Sequence, residues 1–325
     1  MKFIGNKSRL EHFLKRAFIN ENIPARSNAL DLFSGTGSVS KLLSNIGYNT
    51  TSVDALKTSY YLTYTKLFNT PSINPKLLTS FLTNVHEGFI TENHSHKNGV
   101  NIFTEQAANH IDGCLELLKA YDFKNKKNES HFLMGTLIEE ADFRSNIMGS
   151  YESFYKAGWR KQALKEWTFN LVDNKTMTDN KVFHSSVEDF FLNNKISYDM
   201  VYADPPYNVR QYSSVFHVLE TISTFYEGEV KGKVNKPSEQ FSSDFSSKRK
   251  VFKSFENLFN NVSNITNIFY LSYGNEGIMH EKDIIELGNK YFKKIEKVKL
   301  TYRRFNTNQK NNKKKVYEYL FKFKK

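Results

Sequence analysis

The sequence predicts an α/β fold in which short buried strands of a mostly parallel sheet alternate with helices. The apolar run at 28–33 is followed by a glycine-containing turn and then by a segment with helical periodicity. A second short strand at 50–53 ends on Asp54, and a third at 198–203 ends at two consecutive prolines. Strands that alternate with helical segments, with glycine or proline at the boundaries, are typical of parallel α/β sheets.

The turn after the first strand has the features of a ligand-binding segment. Gly35 and Gly37 allow a ligand to approach the backbone and the helix N-terminus, as in the first half of a Rossmann-like unit. Asp54 lies 17 residues after Gly37, where a carboxylate can bind ribose hydroxyls. A dinucleotide would require glycine in place of Ser40, and Asp31 would repel a pyrophosphate. The pattern therefore favours a ligand with a positive amino group and no phosphate, such as the methionine half of S-adenosylmethionine.

The strand at 198–203 ends at Asp204, Pro205, Pro206 and Tyr207, and the functional prediction depends on this segment. Two consecutive prolines cannot continue a sheet ladder, because neither has a backbone N–H and each fixes φ near −65°. The resulting rigid arm carries a carboxylate before the prolines and an aromatic ring after them. Asp204 and the Pro205 carbonyl can accept hydrogen bonds from an exocyclic amine, while Tyr207 stacks on the ring. Taken alone, the segment also fits an ordinary proline turn with a helix-capping Asp.

The composition indicates a globular chain large enough for one domain, or for one domain with an insertion. It has 325 residues, of which 39% are hydrophobic. Cys114 is its only cysteine, which excludes an intrachain disulfide and a cysteine-based zinc site, and we see no metal-ligand cluster. No apolar run approaches the ~20 residues that a membrane span needs, and the N-terminus lacks a signal-peptide pattern. We therefore expect a cytoplasmic protein with no metal and no membrane partner.

The net charge of +12 is concentrated at one end of the chain. Residues 293–325 contain 13 Lys or Arg and two acidic residues, a net charge of +11, which leaves about +1 for all the residues before them. A basic patch confined to one end predicts a polyanionic partner, most simply a nucleic acid backbone. The alternative is a general bias towards Lys and Asn, but bias alone would not concentrate the excess charge.

The alternation of strands and helices stops between about 87 and 180. This stretch predicts a helix at 105–120 and another around 152–170, with a polar loop at 124–130. Its mixture of aromatic and basic residues suits contact with DNA, although such residues can equally form the core and surface of a small helical subdomain. Further along, the polar Lys- and Ser-rich stretch at 228–250 predicts a mobile loop.

The chain resembles the D12 class, or α-type, of N6-adenine DNA methyltransferases, the group that includes Dam and many restriction–modification methylases. The segments that carry the resemblance are, in the family's order, Phe3–Leu10 (FIGNKSRL), Asp31–Ser38 (DLFSGTGS) and Asp204–Tyr207 (DPPY). The resemblance implies a catalytic domain formed by 1–86 and 181–325, with a Rossmann-like, mostly parallel sheet that binds S-adenosylmethionine and ends in an antiparallel hairpin. It also implies a mainly helical target-recognition domain inserted at 87–180.

The resemblance implies a role for each matching residue. The cofactor-binding residues would be Phe3, Lys7, Asp31, Phe33, Gly35, Thr36, Gly37, Asp54 and Asp204. The catalytic residues would be Asp204, Pro205, Pro206 and Tyr207. Among these, Asp54 would hold the ribose of the cofactor, and Asp204 would lie where cofactor and base meet. Ser186 occupies about the place where the family often has an acid or Asn against the cofactor's adenine, which leaves that contact open.

The implied activity is transfer of a methyl group from S-adenosyl-L-methionine to N6 of an adenine flipped out of double-stranded DNA. Such an enzyme would serve as the modification enzyme of a restriction–modification system, with a cognate restriction endonuclease as a functional partner. One alternative is an rRNA base methyltransferase, acting on guanine N2 or on adenine, but those enzymes generally lack the FIGNKSRL opening and the large insert. A second alternative is a catalytically silent homologue kept for DNA binding, and the intact acidic and glycine positions argue against it.

Overall fold

The computed structural model describes residues 7–121, 125–302 and 316–325, and within them seven strands form one sheet. The spatial order of the sheet is β3-β2-β1-β4-β7-β9-β8. Its strands are β1 (Asn28–Leu32), β2 (Asn49–Asp54), β3 (Lys181–His184), β4 (Met200–Ala203), β7 (Ile268–Gly274), β8 (Lys294–Tyr302) and β9 (Val316–Lys324). A separate two-stranded hairpin consists of β5 (Val230–Lys231) and β6 (Lys236–Pro237).

Helices and short 3-10 turns connect these strands. The helices of the described residues are α1 (Glu11–Ile19), α2 (Ser38–Ile46), α3 (Lys57–Leu67), α4 (Pro75–Thr83), α5 (Phe89–His94), α6 (Glu105–Ala120), α7 (Lys127–Arg144), α8 (Val187–Asn193), α9 (Tyr212–Val215), α10 (His217–Thr224), α11 (Val251–Ile265) and α12 (Glu281–Tyr291). The 3-10 turns are Lys7–Leu10, His96–Asn98 and Asp244–Ser246.

Five strands of the sheet run parallel, and the last two form an antiparallel hairpin at one edge. Ala29 in β1 pairs with Thr50 in β2 and with Met200 in β4, so β1 lies between β2 and β4 in the sheet. Strand β9 runs antiparallel to both β7 and β8. The predicted α/β class, with a mostly parallel sheet and an antiparallel C-terminal hairpin, is therefore confirmed.

Alternate side chains of the central strands face two different helical layers. Leu30 and Val201 belong to a buried cluster with residues of α8, α11 and α12. Ala29 and Tyr202 belong to another cluster with residues of α1 and α2. Successive side chains of a strand point to opposite faces, so the nearly continuous apolar strands follow from this double burial. Because both faces are covered, polar side chains reach a ligand only at the carboxyl ends of the strands.

The mid-chain helices form a third hydrophobic cluster, which extends into α3 and α10. Helix α7 packs against both α6 and α3. Helices α7 and α3 approach closely at Gly135 of α7. A Cβ at this position would overlap the side chain of Thr65 in α3 and lie 3.1 Å from the carbonyl oxygen of Tyr61. Segment 87–180 is thus anchored on the helix that follows β2.

The predictions for this segment are partly wrong. The predicted helix at 105–120 has the same bounds as α6, and the observed bounds confirm it. The helix predicted around 152–170 is wrong, because these residues form turns and irregular backbone. The second long helix is instead α7, which begins within the stretch that predicts a polar loop at 124–130.

Asn146 gives a physical reason for the irregular backbone after α7. Its buried amide donates to the carbonyl oxygens of Asn101, Tyr155 and Gly158 at 3.2–3.4 Å and accepts from the backbone N–H of Arg160 at 2.9 Å. A side chain that binds so many backbone groups competes with the hydrogen bonds of a regular helix. The spacing of aromatic residues at 152–170 predicts a helix, because it does not show that the Asn146 side chain binds the backbone of this segment.

Candidate active site

A cavity opens at the carboxyl ends of β1, β2 and β4, where a doubly covered parallel sheet is expected to bind its ligand. The predicted cofactor-binding residues that line it are Lys7, Asp31, Phe33, Gly35, Thr36, Asp54 and Asp204. Pro206 of the predicted catalytic segment also lines it. Phe3 lies outside the described residues. The structure therefore brings together residues from four segments that are up to about 200 positions apart in the sequence.

The turn between β1 and α2 forms one wall of the cavity. Phe33 has φ of 63°, in the left-handed region that residues with a Cβ rarely adopt, and its ring packs edge-on against Phe245. Gly37 has φ of 72° and is not among the described residues that line the cavity. A Cβ at Gly37 would lie 2.8 Å from the Cα of Thr63 in α3, so this glycine allows the turn to approach α3 closely.

Asp31 is a buried carboxylate in the wall of the cavity, with 1% of its surface exposed. Its Oδ2 accepts a 2.5 Å hydrogen bond from the hydroxyl of Ser40. Burial raises the pKa of Asp31 to about 7, with the charges of Asp204 and Asp54 contributing to the increase and the Ser40 hydrogen bond opposing it. Ser40 stands where a dinucleotide fingerprint has its third glycine, and its hydroxyl hydrogen-bonds to Asp31.

Asp54 ends β2 and faces the glycine turn. Its Oδ2 accepts from the backbone N–H of Gly35 at 2.8 Å, and its Oδ1 accepts from the N–H of Leu56 at 2.9 Å. Burial raises the pKa of Asp54 to about 6, although both hydrogen bonds favour the charged form. The carboxylate is thereby fixed in orientation beside the turn.

Asp204 is held by a buried ammonium group. The Nζ of Lys7 lies 2.8 Å from its Oδ1 and 2.7 Å from its Oδ2, and also 3.2 Å from Oε1 of Glu318 on β9. Burial raises the pKa of Asp204 to about 6, with Lys7 opposing the increase and Glu318 adding to it. Burial disfavours a charged Lys7, yet the charges of the two carboxylates raise the pKa of Lys7 well above its usual value. Lys7 therefore carries a positive charge.

The charges around the cavity favour a cationic ligand. Among the described residues that line it, the ionisable side chains with a negative charge are Asp31, Asp54, Glu188 and Asp204, against the single ammonium of Lys7. Such a cavity attracts a positively charged group and repels a phosphate. The side chains therefore fit a ligand such as S-adenosylmethionine, which carries an ammonium and a sulfonium, and do not fit a dinucleotide.

The proline arm places Tyr207 outside this cavity. The backbone N–H of Asp204 still bonds to the carbonyl of Leu32 at 3.3 Å, and the chain then leaves the sheet. The carbonyl of Tyr207 accepts from the N–H of Ile278 at 2.9 Å, and its ring lies edge-on to Tyr273 with centroids 6.5 Å apart. The Tyr207 ring also lies beside Gly274, so the predicted stacking residue is half-buried at the end of β7, next to the cavity.

Sequence reasoning missed a second wall of the cavity, formed by Gln211, Tyr212, Ser213, Phe241 and Ser243. Gln211 exchanges two hydrogen bonds with the backbone of Ser243, at 3.0 and 2.8 Å, and Ser213 donates to the carbonyl of Phe241 at 2.5 Å. Part of the stretch predicted as a mobile loop at 228–250 is thus bound to the residues that follow the proline arm. The polar run after Tyr207 is a sequence signal for the first three of these residues, but nothing local marks Phe241 or Glu318.

Ser186 lies at the cavity with its hydroxyl already occupied. Its Oγ accepts from the backbone N–H of Asp189 at 3.0 Å, which caps α8, and donates to the Asp189 carboxylate at 2.7 Å. The neighbouring wall residues are Val187 and Glu188. The departure at Ser186 thus leaves a capping serine where the family often has an acid or Asn.

Two structural features are absent from the described residues. No helix among them is long and apolar enough to span a membrane. Within the same residues, no group of three or more His, Cys, Asp or Glu side chains is arranged to hold a metal ion.

Comparison with known proteins defines the class. A sequence model of the D12 class N6 adenine-specific DNA methyltransferases matches residues 3–287, and the chain belongs to this family. Family membership and the charged cavity together indicate S-adenosylmethionine as the cofactor.

Individual relatives agree with the family match. The chain is 30% identical over its whole length to the modification methylase LlaI of Lactococcus lactis subsp. lactis, and 31% identical over 99% of its length to the type II methyltransferase M.FokI of Planomicrobium okeanokoites. It spans about half of those two relatives, 55% and 52% of their lengths. It is 29% identical to the type II methyltransferase M.NlaIII of Neisseria lactamica, with 96% of this chain and 94% of that one covered.

Solved structures of methyltransferases resemble this chain only loosely. A SAM-dependent methyltransferase from Agrobacterium tumefaciens superposes with a TM-score of 0.40 and 10% identity, over 98% of this chain and 62% of that one.

Proposed function

We propose that this chain is an adenine-specific DNA methyltransferase that transfers a methyl group from S-adenosyl-L-methionine to N6 of an adenine in double-stranded DNA. The observation that supports this most directly is the position of Asp204. Its carboxylate faces the same cavity as Asp31 and Asp54, at the point where two prolines turn the chain out of the sheet. An amine acceptor and a cationic cofactor can therefore meet at one carboxylate.

The walls of the cavity assign the parts of the cofactor. We infer that Asp31 and the backbone of 33–36 bind its ammonium and methionine half, because a buried carboxylate with a raised pKa is stabilised by a positive partner. Asp54 would accept the ribose hydroxyls, since each carboxylate oxygen has a second lone pair beyond those used by Gly35 and Leu56. Gly37 would contribute by allowing the turn to take its conformation.

The chain's contribution to the reaction is mainly positioning. The cofactor supplies a methyl group on a positively charged sulfur, and the N6 lone pair takes up this methyl as the S–C bond breaks and its electron pair stays on sulfur. Asp204 and the Pro205 carbonyl would accept hydrogen bonds from N6, which favours a tetrahedral nitrogen and frees its lone pair. Tyr207 would stack on the flipped base, and this stacking would contribute about 1–3 kcal/mol, which offsets part of the cost of taking the base out of the duplex. Holding the reacting groups in line is a large part of such catalysis.

DNA binding is proposed for two further parts of the chain. Segment 87–180 would be the target-recognition domain inserted between the 1–86 and 181–325 parts of the catalytic domain. The basic residues of 293–325 would contact phosphates, which supply much of the affinity for a duplex. Lys322 and Lys324 are paired with Glu21 at 2.6 and 2.7 Å, so these two are less available to DNA.

The biological setting follows from the relatives. We propose that the chain is the modification enzyme of a restriction–modification system, as the names of its relatives suggest. A cognate restriction endonuclease would then be a functional partner, and the enzyme would work in the cytoplasm, where its DNA substrate is.

The test is transfer of labelled methyl from S-adenosylmethionine to unmethylated duplex DNA, with nucleoside analysis and modification-sensitive sequencing. We expect N6-methyladenine at one short motif. Label in ribosomal RNA but not in DNA would instead favour the rRNA methyltransferase. Cofactor binding without transfer to either would favour the silent homologue. The variant Asp204→Ala is expected to abolish transfer while cofactor and DNA binding remain detectable, and full activity in that variant would contradict the proposed role of Asp204.

A further inference from the structure

Glu318 is a second carboxylate at the catalytic position, and it shares the ammonium of Lys7 with Asp204. Lys7 Nζ lies 2.7 and 2.8 Å from the two Asp204 oxygens and 3.2 Å from Oε1 of Glu318. The same Oε1 accepts a 2.7 Å hydrogen bond from the hydroxyl of Ser272 on β7. The exposed fractions of the Lys7, Asp204 and Glu318 side chains are 7%, 17% and 16%, so the cluster is largely shielded from water.

Among the described residues, the cluster has more negative than positive charge. Two carboxylates share one ammonium, and Asp31 on β1 adds a further carboxylate whose charge acts on Asp204. Among the described residues, the hydroxyls of Tyr202 on β4 and Tyr212 on α9 also interact with Asp204. Burial raises the pKa of both well above the usual range, so they stay neutral. The position of Lys7 therefore decides which carboxylate is neutralised.

That position matters for the acceptor role of Asp204. An ammonium that binds both oxygens of a carboxylate takes lone pairs from it and weakens it as a hydrogen-bond acceptor for an incoming amine. A positively charged cofactor in the cavity would also repel Lys7. For Asp204 to receive the amine, the ammonium needs another buried partner, because an unpaired charge in this site would be strongly unfavourable.

We propose that Glu318 is a positioning residue that takes over the Lys7 ammonium when Asp204 binds the adenine amine. This inference rests on the proposed function. A small shift of Nζ towards Glu318 shortens the 3.2 Å contact and frees the Asp204 oxygens. Ser272 holds Glu318 in place for this exchange. After the C–N bond has formed, N6 releases one proton, and the freed Asp204 carboxylate accepts it and passes it to solvent.

The test compares Glu318→Gln with a matched variant, Glu21→Gln. Glu21 is also a buried acid that pairs with lysines of β9, but it pairs with Lys322 and Lys324, away from Asp204. For both variants and the wild type, we would measure methyl transfer to duplex DNA at saturating substrates from pH 5.5 to 9. Cofactor affinity by calorimetry and melting temperature without cofactor would be measured on the same preparations.

We expect Glu318→Gln to lower kcat about tenfold or more, with the dissociation constant of the cofactor changed less than about twofold. The acidic limb of the variant's pH–kcat profile should move to lower pH. The reason is that the charge of Glu318 raises the pKa of Asp204, and the variant removes that charge. Glu21→Gln should keep both kcat and the acidic limb. A purely structural role for Glu318 predicts the opposite pattern, with lower melting temperature and unchanged kcat and pH profile.

A readout without turnover separates the two roles. In the protein without cofactor, Glu318→Gln removes one of two carboxylates around one ammonium, so its melting temperature at pH 8 should fall less than that of Glu21→Gln. An equal or larger fall would contradict the proposal. If Glu318→Gln does not fold, Ser272→Ala keeps the charge of Glu318 and removes its anchor, and it should lower kcat in the same direction with an unchanged acidic limb.

The outcomes are distinguishable. Wild-type protein that transfers no methyl to DNA would overturn the proposed function, and this inference with it. Active wild type together with normal kcat in both Glu318→Gln and Ser272→Ala would overturn the role of Glu318 alone.

Discussion

The variant Asp31→Asn should stabilise the protein without cofactor and weaken its affinity for the cofactor. Asp31 is 1% exposed and lies in the wall of the cavity, where its Oδ2 accepts a 2.5 Å hydrogen bond from the hydroxyl of Ser40. Asparagine has nearly the same shape, and its carbonyl oxygen can still accept from Ser40. The substitution therefore removes a buried negative charge and little else.

The magnitude follows from the pKa of Asp31, which burial raises from 3.8 to about 7. At 1.36 kcal/mol for each pKa unit, the ionised form is disfavoured by about 4 kcal/mol in the folded protein, as an upper limit. Between about pH 4 and pH 7 the folded protein binds more protons than the unfolded chain, so this group lowers the free energy of unfolding as pH rises. The gain from Asp31→Asn should thus be about 4 kcal/mol at pH 8 and fall to about 1.6 kcal/mol at pH 5, which is only about one pH unit above the unfolded pKa.

The cofactor should reverse the advantage of the variant. An ionised Asp31 binds a positive group of the cofactor, and a charge-assisted hydrogen bond contributes about 1.5–3 kcal/mol, so the variant should bind at least about tenfold more weakly. In the wild type, affinity should rise between pH 6 and pH 8 as Asp31 and Asp54 lose their protons, since their pKa values are about 7 and about 6.

The assay is thermal unfolding at pH 5 and pH 8, each with and without S-adenosylmethionine. Asp199→Asn is a suitable control, because Asp199 is an exposed carboxylate that accepts from the backbone N–H of Asn28 at the opposite end of β1. We expect Asp31→Asn to raise the melting temperature clearly more at pH 8 than at pH 5, with a smaller cofactor-induced increase than in the wild type. A variant that is less stable than wild type at pH 8, or equally stabilised at both pH values, would refute the reasoning.

Three more substitutions test other parts of the structure. Gly37→Ala should lower the free energy of unfolding by about 2 kcal/mol or more, measured by urea unfolding, because φ is 72° and the added Cβ would lie 2.8 Å from the Cα of Thr63. Tyr207→Ala should lower kcat/KM for DNA methylation about tenfold or more while Tyr207→Phe stays within a few-fold, and equal effects of the two would exclude stacking as the role of the ring. Asn146→Ala should cost about 2 kcal/mol of stability through lost backbone hydrogen bonds, and amide hydrogen exchange at Arg160 should rise, whereas unchanged exchange there would contradict this role.

Much of the cavity could be predicted because its residues lie where glycine, aspartate or proline marks the end of a strand in the sequence. A strand followed by glycines, a strand that ends on Asp54 and a strand that ends in two prolines each mark a carboxyl end. In a parallel sheet these ends share one edge, so residues far apart in the chain were expected together, and the structure places Asp31, Asp54 and Asp204 in one cavity. The helix at 105–120 was equally predictable, because its periodicity and its Thr104 cap are local.

Local pattern could not predict the partners that depend on distant residues. The backbone after α7 is irregular because Asn146 binds groups at 101, 155, 158 and 160, which no sequence window contains together. Phe241 reaches the cavity because Ser213 binds its carbonyl, although its own segment is polar and carries no motif.

The sequence by itself determined the order of strands and helices around the site, the class of ligand and the acidic residues that face it. The reason is that chain stiffness, hydrophobic period and side-chain charge are properties of neighbouring residues. Only the tertiary structure decided how the charges pair. Glu318 lies on the last strand, and β9 reaches Asp204 only by folding back antiparallel beside β7, which brings Glu318 to Lys7 from 311 positions away. The energy of an ion pair depends on the distance between the charges and on their burial. For these residues both quantities are set by strands that are distant in the sequence, so neighbouring residues do not predict them.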